Sequence, residues 1–354
     1  MDFRFTEEQE MTAGVVRDLL GDLCQPSDLR RLMASGEARD ASRWDKIREM
    51  GLAGALVGEE RGGAGLGAAD FVLAAEACGY AGLPEPLVEN SGVALPLLAA
   101  LADIEAVSPV LQAALSGDIT VAVGHSVNPF IADADTAGAL LVERDGAIHL
   151  LAPQDVRLIA QPSIDPFRRL FTLESRLDEV NRIAGRETAA PLLAAALERG
   201  ALFSAAQMIG IAQRCIDLAV AYAKERQQFG KPIGSYQAVK HQLATAQVKI
   251  EFAKPVLYAA AAMLEQADAY SRARISHAKL AASEAADIAA RTAVQVHGAM
   301  GYSWEVDVHF FLKRSIALTA WWGTPAFHRG RVAERVLSGK LGPEHTFQSE
   351  AAHA

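Results

Sequence analysis

Cysteine is scarce in this chain, with three in 354 residues at Cys24, Cys78 and Cys215, far apart and without Cys-x-x-Cys spacing. That excludes a disulfide framework and a cysteine-held zinc site, and it predicts reduced, buried thiols. Aromatic residues make up only 6%, whereas hydrophobic residues reach 51%, largely Ala and Leu. Such a composition favours packed helices over a large sheet. Lys and Arg form no patch and the net charge is −9, which argues against a nucleic-acid partner. No run reaches the roughly 18 uninterrupted apolar residues of a membrane span, and MDFRFTEEQE carries no basic stretch followed by an apolar one. A cytoplasmic protein without a membrane span is expected.

The length exceeds the roughly 250–300 residues of a single core and predicts two or three packed units. Thr6-Glu7-Glu8-Gln9 reads as a capping box, and Val15, Val16, Leu19, Leu20 and Leu23 continue a helix that ends before Pro26. Residues 44–50 read as a short helix closed by Gly51. The glycine-rich stretch 58–67 follows without the strand of a dinucleotide fingerprint or the Gly-Lys-Ser/Thr of a phosphate loop, so it is expected to be a flexible connector. Helical spacing resumes at 68–80 and near 93–101. From Ile119 the pattern changes to ITVAVGH, AGALLVERDGAIHLLAP and RRLFTLE, with Asp145-Gly146 as a hairpin signal. After Thr188 helical runs cover 192–228, 233–266 and 270–297, closed by Gly298, and a last one covers 325–337. The expected fold is mainly α: an N-terminal helical domain (1–115), a small β domain (116–187) and a C-terminal four-helix bundle (188–354).

ERQQFGKPI, residues 225–233, lies at a helix end, and Gln237 is placed two turns into the next helix. A guanidinium such as Arg226 can grip a pyrophosphate through paired hydrogen bonds, and Phe229 can stack on a base. Taken alone, an arginine in a last helical turn also complements the macrodipole, and by itself the stretch favours that plainer reading. A second stretch, QVHGAMGY at 295–302, closes a later helix, and His297 there suits either a nucleotide contact or a helix-end cap. The acids and histidine of WEVDVH, 304–309, have no cluster that predicts a metal.

The pairing of E-R-x-x-F-G-K-P-I with Q-x-H-G-x-x-G-Y, followed by Lys313-Arg314 and a Gly323-Thr324 turn, resembles the acyl-CoA dehydrogenase family. MDFRFTEEQ, the segment from Trp44 through Gly67, and SIDPFRRLFTLE look like further landmarks in the family's order, so the resemblance spans nearly the whole chain. It implies an acyl-CoA dehydrogenase fold and an FAD flavoprotein, an oxidoreductase that removes a proton and a hydride from the α and β carbons of an acyl-CoA. By the same resemblance Arg226 and Gln237 would hold the pyrophosphate and ribose region. Phe229 would lie by the adenine, and Gln295, His297, Gly298 and Ala299 would supply the second ADP-binding turn.

Two departures qualify that picture. VAVGHSVNPFIADAD runs where the family places a Thr-Glu-Pro-x-Ala-Gly-Ser-Asp loop against flavin and substrate, and about half of the usual β domain is missing. Counted from Gly301, the family's catalytic glutamate falls on Trp322, whose indole has an N–H donor and no basic site. The alternative family position, counted back from Gly210, is Gly200; Glu198 is two residues away, about 200° around a helix, and reads as a solvated charge. No catalytic residue is therefore assigned. The expectation is an accessory subunit that pairs with a paralogous dehydrogenase subunit, in an α2β2 heterotetramer of lipid or steroid catabolism passing electrons to an electron-transferring acceptor. A self-sufficient homo-oligomer with an unlocated base and a flavin-free structural protein stand as alternatives.

Overall fold

A computed structural model describes residues 5–338 apart from 176 and 178. The first four residues of MDFRFTEEQ, and residues 339–354 of the expected C-terminal domain, lie outside the described residues. In chain order the helices α1 (Glu7–Leu23), α2 (Pro26–Ser35), α3 (Ala41–Glu49), α4 (Ala68–Ala81), α5 (Leu87–Glu89), α6 (Leu95–Ala99) and α7 (Ser108–Leu115) come first. The strands β1 (Val121–Gly124), β2 (Ile131–Ala132), β3 (Ala139–Arg144), β4 (Ala147–Leu151), β5 (Leu158–Gln161), β6 (Leu170–Leu173) and β7 (Arg182–Ala184) follow. Then come α8 (Arg186–Glu225), a hairpin of β8 (Gln227–Gln228) and β9 (Lys231–Pro232), and α9 (Gln237–Ala261), α10 (Ala269–His297), α11 (Val308–Thr319) and α12 (Pro325–Ser338). The chain divides into two compact units, one of Ser27–Phe71 and Pro84–Gly200, the other of Met1–Pro26, Val72–Leu83 and Ala201–Ala354.

The first unit holds β1 to β7, in two sheets ordered β1-β3-β4-β7 and β2-β6-β5. Asp145 and Gly146 both take positive φ, 54° and 77°, as a two-residue primed turn requires. Strands β2, β5 and β7 escaped the sequence reading because they are short; Ile131 of β2 joins a core of Ala122, Leu140, Val142, Leu151 and Phe171, with Leu158 of β5 packed against it. The helical part is pinned by a buried ion pair, Arg43 to Glu85 at 2.8 Å, whose carboxylate also accepts from the Asp40 amide. The glycine-rich stretch is not the loose connector expected. Its amides bond back onto 54–58, with Gly65 donating to Val57 and Leu66 to Ala55, and a Cβ on Gly63 would overlap the Val57 carbonyl.

The second unit is the bundle. Its first helix begins with the capping box read from sequence: the Gln9 amide donates to Thr6 Oγ1 and the Thr6 amide to Gln9 Oε1. Helices α8 and α9 run antiparallel, joined by reciprocal amide bonds between Gln213 and Gln247. Helices α8 and α10 run parallel with one register throughout, seen in Ser204 against Lys279, Met208 against Ser283 and Tyr222 against His297. The four expected helices are present, and α11 packs on α10 as a fifth that the sequence reading did not place. Helix α8 is long and apolar enough to cross a membrane, yet 67% of its most apolar window is buried within the protein, as in a core helix. Cys24, Cys78 and Cys215 are buried free thiols.

Helices α4 and α8 approach to backbone contact. A Cβ on Gly79 would overlap the Gln207 carbonyl, and one on Gly210 the Glu76 carbonyl. Gly210→Ala is therefore expected to cost about 1–3 kcal/mol through forced separation of the helices. Gly14→Ala, in the interior of α1 with open space at its Cβ, should stabilise by about 0.5–1 kcal/mol. Thermal unfolding of the two variants checks the opposite signs.

Candidate functional site

The predicted nucleotide residues lie at one end of the bundle. Helix α8 ends at Glu225, and the hairpin that follows turns on Phe229 and Gly230, with φ of 52° and 78°. This turn leaves Phe229 93% exposed. Arg226 is exposed, and its carbonyl accepts from the Ile233 amide, which closes the hairpin base at 2.8 Å. Gln237 is the exposed first residue of α9, not two turns inside it, because residues 233–235 form a separate 3₁₀ turn.

Helix α10 delivers the second turn beside the first. His297, buried at 7%, stacks on Tyr222 of the last turns of α8, with ring centroids 4.3 Å apart and planes at 22°. Its Nδ1 donates to the Ala293 carbonyl at 2.7 Å. These contacts fit the helix-end role of the two left open for it. Gln295, Gly298 and Ala299 are exposed around it, and Gly298 takes φ 60° with open space where a Cβ would stand. The structure thus brings together the ends of α8 and α10 through a residue that the sequence reading did not single out, Tyr222.

Trp322 is fully buried, with φ at 56°, and Trp321 meets it edge to face at 6.4 Å. Gly323 follows at φ 103°, where a Cβ would overlap Phe327 and His328. The Trp322 carbonyl accepts from His328 Nε2 at 2.9 Å, and His328 Nδ1 faces the Ser276 hydroxyl at 3.1 Å. Next to this turn, buried Lys279 donates to Ser204 Oγ and to the Leu318 carbonyl, both at 2.7 Å. Polar residues at 276, 279 and 283 within an alanine-rich helix were the available signal for this network, since helical spacing puts them on one face.

In the other unit, β1 ends beside a cleft of about 250 Å3. His125 Nε2 donates to the Leu193 carbonyl at 3.1 Å, and its Nδ1 accepts from the Val127 amide at 3.1 Å. Burial pushes the His125 imidazole below its usual pKa, against the opposing pull of Glu143 at 3.6 Å. Both ring nitrogens are engaged, so His125 shapes the loop and has no free basic site. Glu198, expected to be a solvated charge, is instead 5% exposed. Its place on the inner side of α8 reflects the apolar run around it, which buries that face regardless of the charge.

Burial, then the Lys279 charge, push the His328 pKa down from 6.5 to about 4. Unfolding raises it back, so the unfolded chain binds the extra proton between those values and stability falls as pH drops from 6.5 towards 4. The full effect is about 3 kcal/mol. A His328→Gln variant should be less stable at neutral pH and should lose this acid limb, which melting curves across that range would show.

Two family models match the chain: "Acyl-CoA dehydrogenase, N-terminal domain" over residues 6–118 and "Acyl-CoA dehydrogenase, C-terminal domain" over residues 191–337. "Acyl-CoA dehydrogenase IpdE2" of Mycobacterium tuberculosis is 35% identical over 316 residues, 87% of this chain and 91% of that protein. Among solved structures, the ChsE4-ChsE5 complex from Mycobacterium tuberculosis matches with a TM-score of 0.81 at 23% identity, over 96% of this chain and 100% of that one. Butyryl-CoA dehydrogenase from Megasphaera elsdenii matches with a TM-score of 0.84 at 21% identity, over 95% and 100%. A fold built on a parallel α8–α10 pair and a small two-sheet unit, with these matches along nearly its whole length, belongs to the acyl-CoA dehydrogenase family.

Proposed function

We propose that this chain is the accessory subunit of an FAD-dependent acyl-CoA dehydrogenase, which supplies the ADP half of the flavin site to a paralogous subunit carrying the catalytic base. FAD is a cofactor of the family, and when bound it would take the hydride from the β carbon of the thioester. The observation that carries the reading is an asymmetry within one chain. At the bundle end, Arg226, Phe229, Gln237 and Gln295 are exposed around glycines with open space, which fits an ADP group. At the turn where the family has its glutamate, a fully buried indole stands.

The roles of the chain's own residues follow from their chemistry. Arg226 is suited to paired hydrogen bonds with a pyrophosphate, and Phe229 offers a ring face to adenine. His297 and Tyr222 hold the two turns at a fixed spacing. Trp322 cannot accept an α proton; it would fill space where an acid otherwise sits. A two-subunit assembly in the cytoplasm, acting on a bulky acyl-CoA of lipid or steroid catabolism and passing electrons to an electron-transferring acceptor, is the setting we infer. The likeness to a two-component complex from Mycobacterium tuberculosis supports it.

A second reading has one observation in its favour. Glu198 is a buried carboxylate on α8, and proton abstraction from an α carbon needs a carboxylate held away from solvent. On this reading the chain is self-sufficient.

One experiment separates the two. The full chain is purified alone and with a co-expressed longer paralogue, and flavin per chain and acyl-CoA oxidation are measured. The accessory reading expects no turnover from the chain alone, activity in the complex, and at least about tenfold weaker flavin retention on Arg226→Ala, the loss of a charged hydrogen-bonding group being worth about 1.5–3 kcal/mol. Turnover by the chain alone that disappears in Glu198→Gln would establish the second reading instead.

A further inference from the structure

A cleft of about 400 Å3 opens in the bundle unit among α1, α4, α8 and α9, apart from the turns that carry the nucleotide residues and from Trp322. Its floor includes Leu73 and Ala77, and its walls carry Arg17, Glu76, Tyr80 and Tyr258. The anionic groups around it already have donors. Asp217 accepts from Tyr80 Oη at 2.8 Å and from Gln213 at 3.0 Å. Glu251 accepts from Gln247 at 2.8 Å and from Lys254 at 3.0 Å. Glu76 accepts from Tyr258 Oη at 2.8 Å, and burial holds its carboxyl above the usual range despite that bond and the nearby Lys254 and Arg17 charges.

The cationic side is not matched in the same way. Among the described residues no carboxylate lies within ion-pair distance of Arg17, whereas Lys254 is paired with Glu251. A guanidinium presents five N–H donors and no acceptor. Arg17 is exposed, so its hydrated donors are open to exchange water for an acceptor of negative charge, beside the apolar Leu73 and Ala77 of the same cleft. The geometry points to a ligand site for a small monocarboxylate with an aliphatic body, its carboxylate on Arg17 and its chain against Leu73 and Ala77.

The charged groups facing the cleft set its pH behaviour. Arg17 on α1, Glu76 and Tyr80 on α4, and Lys254 and Tyr258 on α9 line it, while Arg214 and Asp217 on α8 and Glu251 on α9 act on those groups from beside it. Tyr80 and Tyr258 are both pushed upward, by burial first and then by the acids they bond, so both stay neutral at ordinary pH. The proton on Glu76 decides whether an arriving carboxylate meets a neutral acid or a second anion. Binding therefore weakens as pH rises through the elevated pKa of Glu76.

Calorimetric titration of the full chain with hexanoate, hexanol and hexylammonium tests this directly. Hexanoate should bind best, and Arg17→Gln, a change at an exposed side chain, should weaken it by about tenfold, the value of a lost charged hydrogen bond. The wild-type affinity for hexanoate should fall as pH rises, because burial holds the Glu76 carboxyl above its usual range, and Glu76→Gln should remove that dependence, since a shared site couples proton and ligand. Equal binding of hexanol, preference for hexylammonium, or an unchanged affinity in Arg17→Gln overturns the assignment. None of these readings requires flavin or a partner subunit, so they are independent of the accessory-subunit reading.

Discussion

The parallel seating of α8 on α10 is the constraint from which the bundle's functional geometry follows. Ser204 with Lys279, Met208 with Ser283, and Tyr222 with His297 share one register along the two helices. Because that register is constant, the two helices end together, and the hairpin after α8 and the glycine turn after α10 are delivered to the same end. A shift by one turn, about 5.4 Å, would separate Tyr222 from His297 and part the exposed groups of the two turns. The close crossing of α4 on α8 at Gly79 and Gly210 acts in the same direction, since backbone-to-backbone contact leaves no room for sliding.

The polar network between α8, α10, α11 and α12 fixes that seating at the other end. An ammonium removed from water costs several kcal/mol unless hydrogen bonds replace its hydration. Lys279 meets this with Ser204 and the Leu318 carbonyl, groups on two different helices. His328 adds a link between α12, α10 and the turn at Trp322. Such bonds are directional, so they select one arrangement of the helices where alanine faces alone would tolerate several.

Much of this was legible in the sequence wherever the signal was local. The Thr6–Gln9 box and the Asp145-Gly146 turn depend on neighbours within four residues, and both formed as read. The long helices of the bundle were readable from their periodicity. What stayed hidden depends on contacts between distant segments: β2, β5 and β7 have too few residues to show alternation. The glycine-rich stretch is ordered by bonds to 54–58 that no local pattern announces. Glu198 was misplaced because its charge was weighed above the apolar helix face on which it lies. The two helix-end stretches at 225–233 and 295–302 were legible as local patterns, while the Tyr222–His297 stack that joins them was not, since nothing near Tyr222 marks it.

The turn at Trp322 separates what backbone geometry keeps from what side-chain chemistry supplies. Left-handed φ at Trp322 and Gly323 costs an ordinary residue on the order of 1 kcal/mol, yet the turn is kept and bonded. Gly323 is required by the proximity of Phe327 and His328, and Thr324 Oγ1 accepts from the Phe327 amide at the start of α12. These bonds hold the corner between α11 and α12 together with the packing of the fully buried Trp322 indole, which Trp321 meets edge to face. At the far end of the bundle the exposed guanidinium of Arg226 and ring of Phe229 sit at a hairpin whose turn takes positive φ at Phe229 and Gly230, so the shape of that turn sets where those side chains stand.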